Sequence, residues 1–233
     1  MGLKERNQRT EMLIGEEGIK KLKDARVLIF GVGGVGGFVC EALARAGIGI
    51  MDIVDNDVVS ESNINRQIIA NYRTLSRYKV DVMEERIKSI NPDLRVTTYK
   101  CFYLPDDEES AGCFDFNDFD YIVDAIDTTS AKIDIISRAK ECDVPVISSM
   151  GTGNKMDNTR FKITDIEKTS VCPLAKVIRK ELRKRGIKKV DVLFSDEEPK
   201  KNGQMVPSSI SYVPATAGLL IGGYVIKKIL GAE

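Results

Sequence analysis

Residues 27–37, VLIFGVGGVGG, constrain this chain more than any other stretch. Four apolar residues, Val27 to Phe30, predict a buried β-strand. Gly31, Gly33 and Gly36 follow in the spacing G-x-G-x-x-G, with Gly34 and Gly37 added. Residues 37–46 then have helical spacing: Val39, Leu43 and Ala46 can share a face, and Gly47 supplies a stop. A strand, a glycine turn and a helix N-terminus make a phosphate cradle. Glycine lets the backbone approach the anion, and the free N–H groups and helix dipole favour its charge. A glycine turn can also serve tight packing alone; the strand before it and the helix after it favour a nucleotide.

The rest of the first half repeats strand and helix. Segments 49–55, 94–99, 119–124 and 144–149 read as strands, and 79–90 and 130–142 read as helices. This alternation predicts an α/β fold, a Rossmann-like, mostly parallel sheet with helices on both faces. Beyond residue 155 the order changes to a strand at 160–165, a helix at 174–185, a strand at 190–195 and an apolar helix at 215–226. That last helix is too short to span a bilayer and suits a core or an interface. The chain thus divides at 1–155 and 156–233, the second part a smaller C-terminal α+β extension of one overall domain. Residues 1–26 read as a polar helical lead-in, 105–118 as an acidic solvated connection, and 196–198 as a solvated acidic turn.

Composition removes several chemistries. There is no histidine, so a His base, a Ser-His-Asp triad and a His-bound metal are excluded. The five cysteines lack C-x-x-C spacing, which argues against structural zinc and for free thiols in a reducing cytosol. Residues 1–12 are too polar for a signal peptide. No run reaches the roughly 18 apolar residues of a membrane helix. A cytoplasmic protein without a membrane partner is expected. The 35 basic and 35 acidic residues balance, so a nucleic acid could be held only by a local patch.

Candidate site residues fall where strands end. Asp55 lies 24 positions after Gly31 (55 − 31), matching the carboxylate that accepts ribose hydroxyls. Asp57 follows, a second candidate or a turn former. Asn63, Asn65, Arg66 and Gln67 form a polar block that can orient a longer phosphate chain, and Lys79 can reach it as a point charge. Asp127, after the strand at 119–124, can hold Mg²⁺ against phosphate oxygens, can cap the next helix, or both. Arg6 and Arg9 read from the residues alone as solvated charges. Between residues 176 and 189 eight lysines and arginines face one acid, Glu181. This run, with Arg179, Arg183 and Lys184, is either a solvated helix face or a nucleic-acid contact.

Taken together, Arg6, Arg9, GVGGVG, Asp55 in VDNDVV, SNINRQ, Lys79 and DAID resemble the E1-like adenylating superfamily of ubiquitin-activating and sulfur-carrier-activating enzymes. The resemblance implies ATP with Mg²⁺ as cofactors. It gives ribose binding to Asp55, phosphate binding to Arg66 and Lys79, and the Mg-ATP to Asp127. It implies a homodimer in which Arg9 reaches the neighbouring subunit's phosphates, against the solvated reading of that residue. The stretches RTEMLIGEEGIKKL, KVDVMEERIKSINP, CPLAKVIRKELRKRGI and SISYVPATAGLLIGGYVI resemble the tRNA threonylcarbamoyladenosine dehydratase branch. Those enzymes use ATP to cyclise the threonylcarbamoyl group of adenosine 37 in ANN-decoding tRNAs through a carboxyl-adenylate. Some members have a cysteine where this chain has Val192; Cys172 would be the nearest thiol, and a sulfur-transfer partner is a further possibility. Two alternatives stay open: adenylation of a small sulfur-carrier protein, and a NAD-dependent oxidoreductase supported only by the glycine loop and Asp55.

Overall fold

A computed structural model describes residues 5–105, 107, 110–200, 203 and 206–232. Parts of the readings for 1–26, 105–118 and the loop after residue 198 therefore lie outside the described residues. Seven strands form one sheet: β1 (Arg26–Phe30), β2 (Ile50–Val54), β3 (Arg95–Tyr99), β4 (Tyr121–Asp124), β5 (Val146–Ser149), β6 (Phe161–Asp165) and β7 (Asp191–Ser195). Their order is β3-β2-β1-β4-β5-β7-β6, and only β6 is antiparallel, against β7. Among the described residues, six α-helices accompany them: α1 (Gln8–Asp24), α2 (Gly36–Ala46), α3 (Lys79–Ile90), α4 (Thr129–Glu141), α5 (Pro173–Lys184) and α6 (Tyr212–Leu230).

The apolar run of β1 is continuous because both sheet faces are covered, as parallel sheets require. Val27 and Ile29 join a core with Leu22 of α1, Leu43 of α2, Met83 of α3 and Ile221 of α6. Leu28 and Phe30 face the opposite side, with Ile122 and Ile135 of α4. The C-terminal strands continue the same sheet: β7 pairs in parallel with β5 through Ser148 and Val192. Ile178 and Leu182 of α5 cover Val192 and Phe194.

Three expectations need correction. The connection after β3 is not simply solvated: Tyr103, Phe114 and Phe116 are buried and pack around Phe30. Apolar residues spaced irregularly among acids carry no helix or strand period, which hid this part of the core. The acidic turn after β7 is also engaged. Hydrogen bonds from Lys162 and Arg160 hold the Asp196 carboxyl down to about 2, while Glu197 accepts the N–H groups of Met156 and Asp157. Finally, α6 extends beyond 215–226 at both ends, to 19 residues, and is long and apolar enough to cross a membrane by length and composition alone. One face lies on α2, where a Cβ at Gly222 would stand 2.6 Å from the Ala42 Cβ.

Truncating Phe116 to Ala tests the hidden core. Chemical denaturation should register a loss of about 3–5 kcal/mol, the usual result for a buried aromatic. A change within about 0.5 kcal/mol, typical of surface positions, would return this segment to the solvent.

Candidate nucleotide site

The sheet order reverses between β1 and β4: from β1 the chain turns to β2 on one side, and β4 lies on the other. Such a reversal leaves a crevice outside the carboxyl ends of the strands. A cavity of about 820 Å³ opens there. Gly31, Gly33 and Gly34 line it. Gly31 adopts φ +90°, and a Cβ on it would sit 2.7 Å from the Ala125 carbonyl oxygen. A Cβ on Gly36 would sit 1.8 Å from the Gly31 carbonyl oxygen. These two positions admit only glycine; Gly36 lies behind the wall rather than in it.

Asp55 ends β2 and reaches back to the glycine loop. Its Oδ2 accepts the Val32 N–H at 2.8 Å and its Oδ1 accepts the Asp57 N–H at 2.9 Å. Each oxygen keeps a lone pair for a ribose hydroxyl. Burial pushes the Asp55 pKa above the ordinary carboxylate value, outweighing nearby Lys79 and the two N–H donors. Lys79 opens α3 and is buried, with Nζ 2.7 Å from Asp57 Oδ2 and 3.9 Å from Asp55 Oδ1. Asp57 also lines the cavity, where it orients the lysine.

The polar block 60–67 holds itself in shape. Asn63 Oδ1 accepts the Ser60 N–H, and the Asn65 amide donates to the Ser209 carbonyl. Arg66 donates to Ser62 O and Asn65 Oδ1 at 2.8 and 2.9 Å. Asn63, Arg66 and Gln67 line the cavity, and Asn65 stands behind them. The Gln67 amide oxygen is buried without a hydrogen-bond partner. Asp127 lines the cavity and is exposed. It is not the helix cap, because Thr128 holds that position in α4.

Other candidates lie outside the cavity. Arg9 is exposed on α1 and has no ion pair among the described residues. Arg6 pairs with Asp93 at 2.8 Å. Cys172 is buried at the start of α5, behind Gly151, and Val192 lies fully buried in β7. Arg179 is tied to backbone, donating to Thr169 O at 3.0 Å and Ile166 O at 3.4 Å. Arg183 pairs with Glu167, and Lys184 with Glu181. The sequence pattern did not reveal Phe102 and the turns at 149–153 and 206–209, which complete the wall. Its place beside Tyr103 just past a strand end was the only signal for Phe102.

These residues fit a nucleotide with several phosphates: a glycine cradle, a ribose acceptor and two cations surround one space. Among the described residues no three His, Cys, Asp or Glu side chains gather as a metal site. A divalent ion would need the nucleotide's own oxygens besides Asp127, as Mg²⁺ commonly does. The ThiF family model matches residues 6–233. A Bacillus subtilis protein named tRNA threonylcarbamoyladenosine dehydratase is 45% identical over 95% of this chain and 93% of that protein. Its Escherichia coli namesake is 36% identical over 81% of this chain and 72% of that protein. A crystal structure of the Escherichia coli tRNA N6-threonylcarbamoyladenosine dehydratase in complex with ATP superposes with a TM-score of 0.89. It has 33% identity and covers 97% of this chain and 94% of that one.

The raised Asp55 pKa has a measurable sign. The ionised carboxylate accepts ribose hydroxyls, so binding fails as pH falls through that pKa, earlier than for an ordinary Asp near 3.9. Adenosine, which has no phosphate to titrate, should show this loss by calorimetry. Asp55→Asn should bind about 10-fold more weakly at neutral pH, as loss of a charge-assisted acceptor implies. Wild-type affinity that holds constant down to about pH 4 would remove Asp55 from this role.

Proposed function

The chain belongs to the ThiF family, and on that premise we propose that it is an ATP-dependent tRNA threonylcarbamoyladenosine dehydratase. The observation that carries this reading is the convergence of Gly31, Asp55, Arg66, Lys79 and Asp127 on one cavity at the sheet reversal. A carboxylate is a poor electrophile because its leaving group would be oxide. Transfer of AMP from ATP to the threonylcarbamoyl carboxylate releases pyrophosphate and supplies a leaving group. The nucleophile carried on the carbamoyl unit then attacks the activated carboxyl carbon, closes the ring and expels AMP, so the nucleoside loses one water. Attack within one substituent gains from proximity, which suits a chain without histidine.

The protein's part is binding and charge. Asp55 holds the ribose, Arg66 and Lys79 offset phosphate charge, and the loop N–H groups cradle the chain. Lys79 needs to turn only from Asp57, which keeps it poised. Mg²⁺, when bound by Asp127 and phosphate oxygens, adds further charge neutralisation. The homodimer is part of this reading. Arg9 is exposed on α1, and apolar Met12, Leu13, Leu219 and Leu220 are exposed on α1 and α6. Five cysteines without C-x-x-C spacing accord with the cytosol, and neither Cys172 nor a sulfur-transfer partner is needed for the chemistry. Adenylation of a sulfur-carrier protein is the second reading; nothing in the cavity distinguishes it, but this chain lacks zinc-binding C-x-x-C pairs.

The tRNA backbone would lie along α5, whose Leu174 borders the cavity. Arg179 and Arg183 are committed within the fold, so the contacts fall to the exposed cations of this run without ion pairs among the described residues, Lys176, Lys180 and Lys188 among them.

Incubation with Mg-ATP and tRNA bearing threonylcarbamoyladenosine should yield a nucleoside lighter by one water in mass analysis. Ala at Arg66, Lys79 or Asp127 should cut turnover by about 10²-fold or more. An unchanged nucleoside with folded wild-type protein rejects the substrate. Changing Lys176, Lys180 and Lys188 to Ala should weaken tRNA binding. It should also flatten log affinity against log salt by about 0.7–0.9 for each phosphate no longer neutralised. An unchanged slope moves the tRNA elsewhere. Mixing Arg9→Ala with Lys79→Ala subunits should recover part of the activity, and no recovery despite subunit exchange opposes a site shared across the dimer.

A further inference from the structure

Lys132 and Asp124 form an ion pair with both side chains fully buried, directly beneath the cavity floor. Lys132 Nζ lies 3.0 Å from both Asp124 oxygens and 2.8 Å from the Ser149 carbonyl. Ser148 Oγ donates to Asp124 Oδ2 at 2.5 Å. Asp124 Oδ1 also accepts the Ile126 N–H at 3.3 Å. Burying two charges is expensive, and an apolar pair of like volume often serves stability as well or better. The location of this pair argues for another use.

Asp124 and Ser148 are the last residues that pair β4 with β5, while Ser149 still pairs with Leu193 of β7. Beyond them the β4–β5 ladder ends, and both chains turn upward to line the cavity, one through Ala125–Ile126–Asp127 and the other through Ser149–Met150–Gly151. Lys132, one turn into α4, bonds both chains at the point where the sheet releases them. An apolar side chain could fill its volume but could hold neither the Ser149 carbonyl nor the Asp124 carboxylate.

We infer that Lys132 is a positioning residue: its pair with Asp124 locks the Asp127 loop and the Ser149–Gly151 turn into one rigid floor beneath the bound triphosphate. This rests on the assignment of Asp127 to the Mg-ATP. Lys132 touches no ligand itself, because it is sealed below the wall. Its contribution is the place of the Asp127 carboxylate, so it should be read in metal-dependent nucleotide binding rather than in adenosine binding.

Calorimetric ATP affinity as a function of Mg²⁺ tests this without turnover. Lys132→Met alone strands a buried carboxylate and should lower the melting temperature. Lys132→Met with Asp124→Asn removes both charges and should regain much of the fold. It should still need about 10-fold more Mg²⁺ for half-maximal tightening, as expected when charge-assisted hydrogen bonds are lost. Adenosine affinity should stay at the wild-type level. Ser148→Ala, a small deletion that leaves the pair in place, should fold and shift the Mg²⁺ dependence several-fold in the same direction. A folded double variant or Ser148→Ala with wild-type Mg²⁺ dependence would overturn the inference. Wild-type protein that binds ATP with no dependence on Mg²⁺ would remove Asp127 from its role, and the inference with it.

Discussion

The close approach of Gly31 to Ala125 governs the rest of the structure. β1 and β4 are neighbours at the reversal of strand order, and their outgoing loops must pass each other there. They do so because Gly31 has no side chain at a point where a Cβ would meet a carbonyl oxygen at 2.7 Å. The glycine loop can then fold over the strand ends, and Gly36 tucks beneath it to start α2. Two hydrogen bonds fasten the crossing: Gly31 N–H to Val54 O, and Ala125 N–H to Phe30 O, each 2.8 Å. Everything assigned to the nucleotide is hung from this crossing. Asp55 is fixed by the Val32 N–H within the glycine loop, and Asp127 leaves the sheet two residues after Ala125.

Electrostatics completes what the backbone begins. Two buried lysines serve the site in different ways. Lys79 points into the cavity with Asp57 at 2.7 Å and can exchange that carboxylate for phosphate. Lys132 points beneath it and is surrounded by acceptors it has no reason to leave. One is a charge at the cavity wall and the other is sealed below it. This division suits a reaction in which the protein supplies placement and charge while the substrate supplies the nucleophile.

Much of this was legible from the residues, for definite reasons. The glycine spacing, the acid ending β2 and the helix from Lys79 to Ile90 follow local periods and strand-end rules that survive folding. Residues recognised through their own loop, such as Gly31 and Asp55, were therefore found. What escaped depended on contacts between distant segments. Phe116 reaches the core from an acidic loop, Ser209 meets Asn65 across 144 positions, and Lys132 meets the Ser149 carbonyl across 17. The basic run near α5 was legible only in part. Its charges were visible, but Arg179 and Arg183 are committed to Thr169 and Glu167, which only the fold reveals.

A cavity that adenylates a carboxylate carried on tRNA leaves a defined set of products. The decisive measurement is the identity of the nucleotide released when wild-type protein meets Mg-ATP and tRNA bearing threonylcarbamoyladenosine. Adenylation predicts AMP and pyrophosphate, one of each per nucleoside dehydrated, and none with unmodified tRNA. Release of ADP and phosphate, or AMP formation that ignores the tRNA, would contradict it.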